Sequence, residues 1–73
     1  MPNDSYGDDL RRWRREHDVT QAELADALGY RNSSAVHRRE RGAIEMSPLD
    51  FAEAVIAVWG IARERHGNDN DSA

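Results

Sequence analysis

The stretch DVTQAELADALG, residues 18–29, carries both ends of a helix in one short run. Thr20 is placed to cap the first turn with its hydroxyl. Glu23, three residues on, can reach back to the Thr20 N–H, which completes a capping box. Gly29 is a good stop, because glycine accepts the left-handed conformation that ends many helices. Ala22, Leu24, Ala25, Ala27 and Leu28 include an i, i+3, i+4 apolar face. A helix of about eight residues is marginal on its own and must be held by packing. The chain is therefore expected to fold by packing short helices around a small shared core.

The flanking segments agree. A first helix is expected over residues 8–17, with Leu10 and Trp13 on one edge and Val19 just beyond. Asp8 and Asp9 precede its arginines, in the sense the helix dipole favours. A third helix follows in RNSSAVHRRE, with Asn32 as N-cap, Ser33 at the first helical position and Gly42 as stop. Its apolar content is Ala35 and Val36, so most of its surface faces water or a partner. The last helix begins at SPLD, with Ser47 as N-cap, Pro48 at the first position and Asp50 at the third. It carries one stripe of Leu49, Ala52, Val55, Ile56 and Trp59, and further apolar residues at Phe51, Ala54, Val58 and Ile61. Gly60 is expected to end or kink it. Three short polar helices cannot cover so broad an apolar surface. No strand pattern and no internal repeat is present.

Seventy-three residues allow one domain. The expected division is a flexible N-terminal tail (1–7), a helical domain (8–66) and a disordered C-terminal tail (67–73). There is no cysteine, and His17, His37 and His66 lack metal-ligand spacing. No apolar run reaches membrane-spanning length, and the start MPNDSYGDD lacks signal-peptide character. A cytoplasmic chain is expected.

The net charge of −4 needs dividing. Asp4, Asp8, Asp9, Asp69 and Asp71 lie near the two ends. Residues 10–66 then hold nine acids against all ten arginines. Residues 10–17 and residues 31–41 each hold four arginines and one glutamate. Local charge sets the field a phosphate backbone feels. Every basic residue is arginine, which suits bidentate recognition of phosphate or guanine.

Two short helices joined by a glycine turn make a helix-turn-helix pattern. TQAELADALGYRNSSAVHRRERG resembles the Cro/cI-type (XRE-like) helix-turn-helix domain of phage repressors and their bacterial relatives. The matching positions are Thr20, Gln21, Leu24, Ala25, Leu28, Gly29, Glu40 and Gly42, with Arg14 upstream, and Gly-Tyr-Arg fits the variant with one extra turn residue. The likeness spans about residues 10–59. It implies an all-α, compact four-helix (or five-helix) lambda-repressor-like domain with short disordered acidic tails. By the same likeness, Arg14 and Glu40 match a structural salt bridge between the first and third helices. Ser33, Ser34 and Arg38 match base-reading positions, with His37 beside them. Gln21, Arg31, Asn32 and Arg41 match DNA-backbone contacts. Helical spacing agrees: Ser33, Ser34, His37, Arg38 and Arg41 recur at threes and fours, while Val36 and Glu40 turn inward. One departure is Arg39, at a position usually apolar in the family. Its stem is expected to cover the core edge while its charge escapes.

The implied function is a sequence-specific double-stranded-DNA-binding transcriptional regulator, a dimeric autorepressor on an inverted-repeat operator. Phe51, Val55, Val58, Trp59 and Ile61 are expected to form a symmetric homodimer interface. Two recognition helices would then lie about 34 Å apart on a palindrome. Such regulators occur in phages, in antitoxin operons and beside anti-CRISPR genes. Two alternatives stand beside this. One is a protein-interaction module such as an antitoxin, whose last helix binds a partner protein. The other is a structural DNA-binding protein without sequence preference, against which the acidic ends argue. No catalytic constellation is visible, so no enzyme, cofactor, metal or small-molecule ligand is expected.

Overall fold

The structure is a computed structural model that describes the backbone of residues 5–71 and the side chains of residues 6–65. Four helices follow in order: α1 (Ser5–Glu16), α2 (Gln21–Leu28), α3 (Ser34–Arg41) and α4 (Pro48–Asp71). No strand and no fifth helix occurs among the described residues. The fold is all-α. Of the two expected tails, residues 1–4 and 72–73 lie outside the described residues.

The core is small and draws on every helix. Leu10, Val19, Leu24, Ala25, Val36, Met46, Ala54 and Val58 form one buried cluster, with Ala62 also buried. Tyr6, Trp13, Leu28, Tyr30, Phe51, Ala57 and Ile61 close its edges. Each fully buried Leu or Val contributes on the order of 1.5–3 kcal/mol by leaving water. α1 and α2 each pack on both α3 and α4.

α1 starts three residues earlier than its sequence pattern indicates, so Ser5, Tyr6 and Gly7 belong to the helix and not to a tail. The cause is tertiary. Gly7 is buried against the end of α3, where an added Cβ would lie 2.5 Å from the Arg39 carbonyl oxygen and 2.8 Å from that of Glu40. Only glycine lets the two backbones come so close. Tyr6 stacks on Phe51 of α4, with ring centroids 4.8 Å apart. Glycine reads as a helix breaker in one dimension, and here it is a packing residue. α1 ends before His17, and Asp18 turns the chain with a φ of 57°.

The caps of α2 are as expected. Thr20 Oγ1 accepts from the Glu23 N–H at 3.0 Å, and Glu23 Oε1 accepts from the Thr20 N–H at 2.9 Å. The start of α3 is shifted by one residue. Ser33 takes the N-cap place without a side-chain bond, and Asn32 Oδ1 accepts the Ser34 N–H at 3.0 Å. Asn32 thus caps from one residue further out.

α4 opens as its sequence indicates, with Ser47 Oγ accepting the Asp50 N–H at 3.0 Å. It then runs straight through Gly60, and its backbone continues over residues 67–71, which were expected in the C-terminal tail. Arg65 ties it back to the α1–α2 corner. It donates to the Asp18 carbonyl at 2.7 Å and pairs with Glu23. No helix among the described residues is long and apolar enough to cross a membrane.

Candidate functional site

The site is built on α3 and on what holds it. Both ends of the α2–α3 unit are closed in the same way. Gly29 has a φ of 80°, and the Gly29 and Tyr30 N–H groups bond the Asp26 and Ala25 carbonyls at 3.2 and 2.9 Å. Gly42 has a φ of 85°, and the Gly42 and Ala43 N–H groups bond the Arg39 and Arg38 carbonyls at 3.2 and 2.9 Å. These paired bonds satisfy carbonyls that a helix end leaves open. Between the two helices, Tyr30 turns inward against the core, while Arg31 and Asn32 are exposed.

The face α3 turns to the core is Val36 and Glu40, both buried. Glu40 meets Arg14 of α1 in a two-pronged pair: Nε to Oε2 at 2.7 Å and Nη2 to Oε1 at 3.0 Å. Arg14 Nη1 also donates to the Val19 carbonyl at 2.9 Å. This is the expected structural salt bridge, and it joins α1 to α3. Its strength lies in completeness, because a buried charge is costly unless its lone pairs and protons are satisfied.

The opposite face carries Ser34, His37, Arg38 and Arg41, all exposed. Ser33, grouped with them from sequence, is only half-buried at the N-cap. Arg31 adds a third exposed guanidinium beside the helix start. The single carboxylate of residues 31–41 is Glu40, which is inside and paired. The exposed surface of this segment is therefore purely cationic, more so than its net charge implies. A concave surface lined by Arg14, Arg15, Asp18, Val19, Thr20, Gln21 and His37 adjoins it.

Gln21, matched from sequence to a DNA-backbone contact, is differently engaged. Its Nε2 donates to Glu40 Oε1 at 3.0 Å and lies 3.4 Å from His37 Nδ1. Both amide hydrogens have partners within the chain if His37 accepts at Nδ1. A phosphate needs a donor, so Gln21 must release one of them to reach it. A chain of contacts thus runs from the buried Arg14–Glu40 pair through Gln21 to exposed His37. Spacing in sequence could not show this, because it joins three helices.

Arg39 behaves as an amphipathic side chain. Its guanidinium lies 4.6 Å from the Tyr30 ring centroid, and Nη1 donates to the Ala35 carbonyl at 2.8 Å. Nε is buried without a partner. The charge stays over the turn instead of escaping outward, and α3 keeps its expected inward face.

The expected dimer residues separate. Val58 is 0 % exposed and belongs to the chain's own core, so it cannot meet a second chain. Phe51 is taken up by Tyr6, and Ile61 is half-buried against the core. Val55 is half-buried, and its carbonyl accepts the Trp13 indole N–H at 3.2 Å. Only Trp59 is well exposed, at 49 %, together with Leu49 and Ile56 at 67 % each. The physical reason is that small residues face inward. Ala54, Val58 and Ala62 let α4 lie close on α1 and α2.

Among the described residues, no group of three His, Cys, Asp or Glu side chains is placed to hold a metal ion. Comparison of the chain with protein-family models, with curated proteins and with solved structures gives no match in any of the three.

Proposed function

We propose that this chain is a sequence-specific double-stranded-DNA-binding transcriptional regulator of the Cro/cI helix-turn-helix type. In this reading it acts as a homodimeric repressor on an inverted-repeat operator. The observation that carries it is the outward face of α3. Ser34, His37, Arg38 and Arg41 stand exposed together, and the one carboxylate of residues 31–41 is withdrawn into a buried ion pair. A helix of this kind fits the major groove. Arg38, mid-helix, can give two parallel hydrogen bonds to guanine O6 and N7. Arg31, Asn32 and Arg41 flank it as phosphate contacts, which fix position without reading sequence. The buried Arg14–Glu40 pair holds the helix at a fixed angle on α1. Occupying an operator blocks polymerase.

Binding to a labelled duplex across a salt series tests the division of roles. Arg41→Ala should weaken binding to all sequences alike and reduce the salt slope by about one. Arg38→Ala should cost about 1–3 kcal/mol on the preferred duplex and relax discrimination there. Equal effects of the two variants on all duplexes would remove base reading from the proposal. The exposed Leu49, Ile56 and Trp59 support a second reading, an interaction module such as an antitoxin with α4 against a partner protein. Absence of DNA binding by the wild-type chain would favour it.

A further inference from the structure

Gly60 sits inside a long helix, where glycine costs about 1 kcal/mol relative to alanine. No contact among the described residues explains it. A Cβ at Gly60 would meet no atom within 4 Å, in contrast to Gly7. The backbone there is open on the outward side of α4, beside Ile56 and Trp59.

The residues around it repeat every seven. Leu49, Ile56 and Arg63 fall on one line of the helix surface, with Ala52 and Trp59 along one side of it and Glu53 and Gly60 along the other. Leu49, Ala52, Glu53, Ile56, Trp59 and Arg63 are exposed. This is the spacing of a helix-pairing seam. Leu49 and Ile56 are each 67 % exposed, the Arg63 guanidinium lies 5.1 Å from the Trp59 ring centroid, and the charged members are one acid and one base.

We propose that this seam pairs with a second copy of the chain as an antiparallel α4–α4 contact. The two-fold axis crosses α4 at the level of Val58, whose side chain faces the other way. In that register Ile56 of each protomer packs over Gly60 of its partner. Glu53 of each meets Arg63 of the other, and the two Trp59 rings flank the axis. The contact is self-complementary, as a two-fold interface requires: knob to notch and acid to base, each made twice. A parallel pairing would set Glu53 against Glu53 and leave both notches unfilled. The seam uses none of the exposed α3 residues Ser34, His37, Arg38 and Arg41. The inference rests on the homodimer half of the proposed function and not on its DNA half. Three large apolar side chains per copy fall short of a standard interface of about 1,600 Å². Reversible association with a Kd in the micromolar range is expected.

Sedimentation equilibrium of the full chain without DNA, up to about 1 mM, tests it. Glu53→Arg and Arg63→Glu should each weaken association about tenfold, because each change places like charges together at two symmetric contacts. The double variant should recover most of the loss. Gly60→Leu fills the notch without touching the monomer, so it should abolish association while leaving the helical circular dichroism unchanged. Arg38→Ala should leave association unaltered, which keeps this result separate from DNA reading. A wild-type chain that remains monomeric throughout overturns the proposal. So does a double variant as weak as its singles, or a Gly60→Leu chain that associates as well as wild type.

Discussion

Removing Arg14 should strip this fold of much of its stability. Arg14 and Glu40 side chains are 10 % and 1 % exposed. Arg14→Met deletes three hydrogen bonds: two to the Glu40 carboxylate and one to the Val19 carbonyl. It leaves Glu40 as a buried charge with Gln21 as its remaining side-chain donor. Breaking one side of a buried pair costs about 3–5 kcal/mol. A chain of this size has a total stability of roughly 4–11 kcal/mol. The loss therefore takes between a quarter of the stability and all of it. With a urea slope of about 1 kcal/mol/M, the midpoint should fall by about 3 M or more. Glu40→Met should be about as harmful, because it leaves a buried guanidinium. The double variant should lie within about 1–2 kcal/mol of wild type, since two apolar side chains of similar size can replace a buried pair. Urea unfolding followed by far-UV circular dichroism on all four proteins completes the cycle. Single variants that each lose under about 1 kcal/mol, or a double variant as unstable as the sum of the singles, would refute the reasoning.

Gly7→Ala should lower the thermal midpoint, at a cost of about 1–3 kcal/mol, because its Cβ would press on two backbone carbonyls. Gly60→Ala should raise it by about 0.5–1 kcal/mol at concentrations where the chain is monomeric, the usual sign for glycine in a helix. The same substitution thus acts with opposite sign in two helices, and one differential scanning experiment compares them. Glu23 is held below its ordinary pKa of 4.5, first by the Thr20 N–H and then by Arg65. Its contribution is therefore present above that value and lost as pH falls through the lower folded one. Glu23→Gln should reduce the melting temperature at about pH 6 and make little difference at about pH 3. A gap that persists at the acidic end would point to a cap effect independent of charge. Thr20→Ala should cost about 1 kcal/mol by removing the N-cap of α2, measured by urea unfolding.

Much of this molecule is legible in one dimension because local chemistry marks it. Thr20, Glu23, Gly29, Gly42, Ser47 and Pro48 each carry a cap or stop signal, and the helices they bound follow them to within a residue or two. Val36 and Glu40 facing inward follow from a period of 3.6. The remainder depends on neighbours that sequence does not display. Gly7 looked like part of a tail because its role is defined by the carbonyls of α3. α4 has apolar residues on every side, so periodicity could not say which stripe stays home. Size decided it: Ala54, Val58 and Ala62 face the neighbouring helices, and Leu49, Ile56 and Trp59 remain outside. Gln21 is likewise defined by two partners on α3, and no spacing rule points to that link.

The two surfaces left open by the fold have different chemistry. One is cationic and polar, on α3, and the other is apolar with a balanced charge pair, on α4. They share no residue, so each can be altered without the other and variants can assign function to surface. Exposed substitutions on α3 should leave folding and self-association intact, and those on α4 should leave base preference intact at saturating protein.

In the proposed function α3 reads DNA sequence. Selection from a random duplex pool at physiological salt, with wild type and Arg38→Ala side by side, tests it most directly. The expected result is an enriched inverted repeat for wild type, with its half-sites about one helical turn apart, and loss or relaxation of a guanine position in the variant. A pool that remains unenriched with the wild-type chain would contradict it.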